Sequence, residues 1–232
     1  MQKLFTKGSS NNKTAKSEGS GYEIRILHLA PAMESGHEVC SSRSEGCTTS
    51  CLFTAGRGAM GPVKHSRIRK TQLWFTQRDE FKQQIIDELH SFVKRCDKLG
   101  IKPAVRMNGT SDLFWEKQFP ELFEIFSSIQ FYDYTKHYKR CLIRWKLPDN
   151  YHLTFSKSET NNELCRRVLR AGRFNVVAVF NSKSFPDKYW GRDVYTADSH
   201  DLRFLDPKGG NIGALAAKGK ARYDKTGFVI KV

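Results

Sequence analysis

Tyr22-Glu-Ile-Arg-Ile-Leu-His-Leu29 closes on Pro31 and runs directly into a polar loop that holds Cys40, Cys47 and Cys51. The apolar run, rich in β-forming residues and stopped by proline, predicts a first strand. The loop behind it gathers three of the chain's six cysteines within twelve residues, spaced C-x6-C-x3-C among Ser, Gly and Thr. Thiolates clustered in such a loop present soft ligands to a metal or an iron–sulfur cluster. If the chain turns helical after Gly46, Cys47 and Cys51 stand at i and i+4 and point the same way, with Cys40 approaching from the preceding loop.

Free cysteines otherwise favour apolar burial, whereas these lie among Ser, Arg and Glu. A structural zinc site draws on four ligands in paired spacings, and here the fourth would be His37, His28 or a distant cysteine. Three close cysteines without a second pair match a [4Fe–4S] cluster with one open iron. Zinc stays as the alternative, and an ordinary set of small residues or a disulfide is the plain reading.

Further along, strand and helix signals alternate. Phe81, Ile85, Leu89, Phe92 or Val93, and Cys96 recur every three to four residues, predicting a helix over 76–99 capped by Gly100, with Cys96 on its core stripe. Strands are expected at 103–108, 129–134, 151–155 and 174–180, with weaker ones at 193–197 and 202–205, and the capping-box sequence Thr160-Asn-Asn-Glu163 opens a short helix to about Leu169. The alternation predicts an α/β fold of (βα) units, forming either a partial barrel or an open parallel sheet. Residues 22–232 are expected as one α/β domain behind a flexible basic tail at 1–21, which is rich in Ser, Asn, Lys and Gly.

In such folds the C-terminal strand ends face the site. Those ends supply Arg106, Asn108, Ser111 and Asp112 after the second strand, then Asp133 and Lys136, then Ser156, then Asn181. Arg57, between two glycines just past Cys51, joins them as a candidate for holding an anionic ligand. These nine are the cofactor-binding candidates.

The formal charge of +15 raises the prospect of a polyanionic partner. A basic surface over Lys64, Arg67, Arg69 and Lys70, extended by Lys218 and Lys220, is where nucleic acid would bind by charge and stacking. The Gly-rich 208–221 stretch fits neither phosphate-loop pattern and reads as a flexible basic turn. No run approaches the roughly 20 apolar residues of a membrane span, and the basic start lacks the apolar core of a signal peptide. A cytoplasmic, reducing setting is therefore expected, which favours metal ligation over disulfides. With no G-x-S-x-G elbow and no H-E-x-x-H pair, hydrolase chemistry has no local signature. The sequence leaves open whether the chain is an enzyme.

Leu29-Ala-Pro-Ala32, the three-cysteine loop, Leu52-Phe-Thr-Ala-Gly-Arg-Gly58, Arg106-Met-Asn-Gly-Thr-Ser-Asp112 and the Gly-rich Lys208 to Lys220 together resemble the phage family gene product 88. That likeness implies a bacteriophage or prophage protein acting in a bacterial cytoplasm. More loosely, a three-cysteine loop after the first strand of a (βα) series resembles the radical S-adenosylmethionine superfamily. The resemblance implies that Cys40, Cys47 and Cys51 hold a [4Fe–4S] cluster whose open iron binds S-adenosylmethionine, with radical chemistry as the activity. The superfamily's spacing is C-x3-C-x2-C and its second strand ends in Gly-Gly-Glu. Here the spacing is C-x6-C-x3-C, Asn108-Gly-Thr-Ser111 takes the strand-end place, and Ser50 precedes the last cysteine instead of an aromatic residue.

Overall fold

The alternation read from the sequence is present in a computed structural model of the chain, which describes residues 2–8, 17, 19–142 and 144–232. Strands β2 (Tyr22–Leu27), β3 (Lys102–Arg106), β4 (Gln130–Thr135), β5 (Tyr151–Ser156) and β6 (Val176–Phe180) lie side by side in chain order. All four of these pairings are parallel. β9 (Ile212–Ala216) and β8 (Arg192–Thr196) continue the parallel series beyond β6. Antiparallel edges finish it: β1 (Phe5–Lys7) on β2, and β7 (Lys188–Tyr189) on β8. β10 (Val229–Ile230) pairs with the end of β6. The result is a ten-stranded, mostly parallel sheet in a mixed α/β fold, and its path runs from β1 to β7 without closing.

Parallel neighbours in strict chain order need a crossover at every step, and right-handed crossovers all running one way set their helices on one face. The burial pattern agrees. Besides the short α1 (Glu45–Thr49), the helices are α2 (Gly61–Thr76), α3 (Arg78–Leu99), α4 (Trp115–Gln118), α5 (Glu121–Ile125) and α6 (Asn162–Ala171). Phe81, Ile85, Leu89, Phe92 and Cys96 form the expected stripe of α3 and share one apolar cluster with Leu27, Val105, Phe131, Leu153 and Val176 of the sheet. Gly100 and Gly172 stop α3 and α6 at φ +62° and +68°, a left-handed geometry that glycine adopts without strain. The opposite face carries a much smaller apolar group, in which Ile24, Ile26, Ala104 and Tyr132 meet Leu202. Polar side chains line the rest of it.

Two stretches differ from expectation. Within the segment read as a flexible tail, Leu4 and Phe5 are buried and β1 pairs with β2. Two side chains that sequence periodicity does not reveal hold it there. The Glu88 carboxylate accepts the Leu4 and Phe5 amides at 2.7 and 3.1 Å, and the Lys70 ammonium donates to the Leu4 carbonyl at 3.0 Å. Residues 1, 9–16 and 18 of that reading lie outside the described residues. The Gly-rich stretch read as a flexible turn contains β9, whose Gly213 sits where a Cβ would stand 2.8 Å from the Tyr195 hydroxyl. The 202–205 run, expected as a strand, is a 3-10 turn over Arg203–Leu205. No helix of the described residues is long and apolar enough to cross a membrane.

Replacing Glu88 with Ala removes both acceptors from β1. Hydrogen exchange should then show loss of protection at the Leu4 and Phe5 amides, with a global cost of about 1–3 kcal/mol from the unsatisfied groups left behind.

Candidate functional site

The cysteine loop lies over the C-terminal ends of the central strands and is fastened there from three sides. Ser44 caps α1, its Oγ accepting the Cys47 amide at 3.2 Å. Glu159, just past β5, accepts the Ser44 hydroxyl and the Gly46 amide, each at 2.7 Å. A carboxylate at this end satisfies helix amides that have no internal partner. Gly46 is packed so closely that a Cβ would stand 2.6 Å from Phe228 Cβ and 2.8 Å from Glu159 Oε2. From the loop after β3, the Asp112 amide donates to the Val39 carbonyl at 2.8 Å, and Thr110 Oγ1 donates to the Leu29 carbonyl at 2.5 Å. α1 ends at Ser50, so Cys47 lies in the helix and Cys51 begins the next turn.

Cys40, Cys47 and Cys51 are free thiols, each partly exposed and within electrostatic reach of the other two. Burial pushes the Cys40 thiol up to about 12, with Asp112 and the neighbouring thiols adding to the rise. Burial likewise raises Cys51. Among the described residues, no group of three or more His, Cys, Asp or Glu side chains is arranged to hold a metal ion, these three cysteines included. Cys96, Cys141 and Cys165 lie in the core, as expected for Cys96 from its place on the α3 stripe.

Lys136, at the end of β4, reaches the centre of this group. Its ammonium donates to Ser156 Oγ at 2.9 Å and to the Cys47 sulfur. Burial opposes its charge, but Cys47 and Asp112 outweigh burial and raise its pKa. Asp112 also fixes the backbone, accepting the Lys136 amide at 2.8 Å. Of the residues expected from the strand ends, the structure thus brings Asp112, Lys136 and Ser156 together with the three cysteines.

The other expected residues serve elsewhere. Asn108, Ser111 and Asp133 form the frame beneath. Asn108 accepts from Ser111, the Leu113 amide and Trp115 through Oδ1, and donates from Nδ2 to Asp133 and the Leu113 carbonyl. That amide has no donor left for a ligand. Asp133, wholly buried, also accepts the Tyr151 hydroxyl at 2.7 Å and the Asn108 amide at 2.7 Å, and burial lifts its pKa to about 7. Asn181 holds the chain end through the Val232 amide, and Arg57 is exposed. Arg106 lies on the polar face of the sheet, 3.3 Å from Asp201 and stacked over Tyr134.

The basic surface expected at 64–70 is largely absent as a surface. Arg67 and Lys70 are only 8% and 5% exposed, because positions 67, 70, 71 and 74 form the buried face of α2. That i, i+3, i+4, i+7 spacing was present in the sequence, masked by its charged members. Lys64 is half-buried over the Phe53 ring, Lys218 pairs with Asp198 at 2.6 Å, and Arg69 and Lys220 are exposed. Glu159 stands in the polar series after the fourth expected strand, and Arg140 is the functional neighbour that the strand-end reading did not select. Arg140, with no exposure, reaches Asp112 from a 3-10 turn that has no sequence signature.

The family model of gene product 88 matches residues 3–232, and the chain belongs to this phage family. Neither curated proteins nor solved structures give any match.

The raised Asp133 has a consequence for pH. The folded chain holds a proton that an ordinary aspartate near 3.8 has released, so this contribution is full below about pH 4 and is lost as pH rises through about 7. Urea unfolding should show the stability difference between wild type and Asp133→Asn shrinking over that window, by at most about 1.4 kcal/mol per pH unit.

Proposed function

We propose that this chain is an iron–sulfur protein that holds a [4Fe–4S] cluster through Cys40, Cys47 and Cys51 and uses it in radical chemistry on S-adenosylmethionine. The observation that carries the reading is the gathering of three unpaired thiols over the C-terminal ends of parallel strands in chain order, around the half-buried Lys136. Helices on one face of a sequentially ordered sheet are the makings of a partial (βα) barrel, and we read the sheet as one.

When bound, the cluster supplies single electrons at low potential. The chain's own groups prepare its bed. Lys136 offers positive charge to the thiolates, Asp112 and Ser156 fix Lys136, and Glu159 with Ser44 orients α1. A small cosubstrate would bind at the iron that the three thiols leave without a cysteine. The working place of such a phage protein is the host cytoplasm, where cysteines stay reduced.

A second reading, nucleic-acid binding with zinc or no metal at the thiols, draws on a different contact. Gly219 packs so near Ala55 that its Cβ would stand 2.6 Å from Ala55 Cβ, bringing Lys218 and Lys220 beside the loop of Arg57 and Cys51. On this reading affinity for a DNA or RNA oligomer falls steeply with salt, with Lys64 and Arg69 as further phosphate contacts.

Reconstitution with iron and sulfide without oxygen separates the roles of the cysteines. Cys40→Ala, Cys47→Ala and Cys51→Ala should each lose most of the broad visible absorption of the cluster, while Cys141→Ala keeps it. Equal loading in all four variants would remove the three-cysteine site.

A further inference from the structure

Beside the thiol loop lies a set of buried side-chain nitrogens that have no partner among the described residues. Arg67 projects from α2 beneath the Phe53 ring and is 8% exposed, yet its Nε and Nη1 have no partner among the described residues. Arg106 gives one nitrogen to Asp201 and leaves Nε without a partner. His28, immediately after β2, has an unpartnered Nδ1 and lies within electrostatic reach of both arginines and of Lys70. Gly109 presses on this histidine: a Cβ there would stand 2.8 Å from His28 Cε1 and 2.7 Å from Ile26 Cγ2. The ring is therefore held in place.

The charge around these donors is unbalanced. Arg67, Arg106 and Lys70 all act on His28, with Asp201 opposing them. Lys70 is already committed to the Leu4 carbonyl. Orphaned buried donors cost about 1–3 kcal/mol each, more when charged, and are rare in folded proteins. Two guanidinium groups with such donors, both acting on the same buried histidine, describe a site for an acceptor-rich anion. Guanidinium groups suit a carboxylate or a phosphate, whose oxygens meet their planar N–H fork.

We propose that Arg67, Arg106 and His28 bind the carboxylate or phosphate group of a small-molecule ligand, holding it next to the thiol loop at Cys51. The site is built from residues outside the three cysteines and does not depend on a bound cluster. An anion there completes the hydrogen bonds of both arginines and neutralises the local excess of positive charge.

Thermal unfolding of the full chain, at constant ionic strength balanced with chloride, reads this directly. The probes are inorganic phosphate and acetate, each with iron-free and with iron-reconstituted protein. A saturable rise in Tm with phosphate alone assigns a phosphate ligand, and with acetate alone a carboxylate; a rise with both assigns the shared oxyanion chemistry. The response should be the same with and without iron, which separates this site from the cluster.

Arg67→Met should abolish the rise, and because it removes a buried charge without a carboxylate partner, it should unfold at a higher temperature than wild type in chloride alone. Lys183→Gln, at an exposed position, should respond as wild type does. No saturable shift in wild type overturns the proposal. So does an Arg67→Met chain that keeps the response, or one that fails to fold or loses stability in chloride.

Discussion

Arg140 is the tie on which the site's geometry depends. Its guanidinium is completely buried and spends its donors on Glu116 at 2.9 and 2.8 Å, Asp112 at 3.2 Å and the Tyr151 hydroxyl at 3.1 Å. From there the order passes outward. Asp112 fixes the backbone of Lys136, and Lys136 reaches Ser156 and Cys47. Tyr151 passes it the other way, to Asp133 and Asn108 under β3 and β4. A buried guanidinium repays its desolvation only when its donors are all used, so these partners must hold their positions together. Removing one partner typically costs about 3–5 kcal/mol because the other is left charged and buried.

The two faces of the sheet divide the labour accordingly. One is covered by helices and supplies nearly all the apolar burial, as strands following one another in parallel require. The other is thinly apolar and carries Arg106, Tyr134, His28 and Asp201 instead. A polar interior of this kind is costly to fold, and folds retain such groups chiefly where a ligand or reaction uses them. The thiol loop lies over the C-terminal ends of the central strands, and His28 and Arg106 lie at the ends of β2 and β3.

The sequence made the central strands legible because each is a short apolar run bounded by turn residues, and α3 because its stripe repeats without interruption. The helix stops at Gly100 and Gly172 were equally plain, since left-handed geometry selects glycine. β1 and β9 were not legible. β1 is three residues long and depends on Glu88, more than eighty positions away, while β9 is built from small residues that fit beneath Tyr195. At the site, the cysteines, Asp112, Lys136 and Ser156 were found because strand ends gather in parallel folds. Asn108 and Asp133 shared that position but turn inward, and a polar side chain beside a strand end does not announce which way it faces. Arg67 was read as surface because charge usually marks solvent, and only its spacing with Thr71 and Trp74 pointed inward.

The central claim is that the three-cysteine loop binds an iron–sulfur cluster, and metal and sulfide analysis of the protein purified without oxygen tests it most directly. The account predicts about four iron and four acid-labile sulfide per chain, the content of one [4Fe–4S] centre. Zinc without sulfide, or no metal after reconstitution with iron and sulfide, would contradict it.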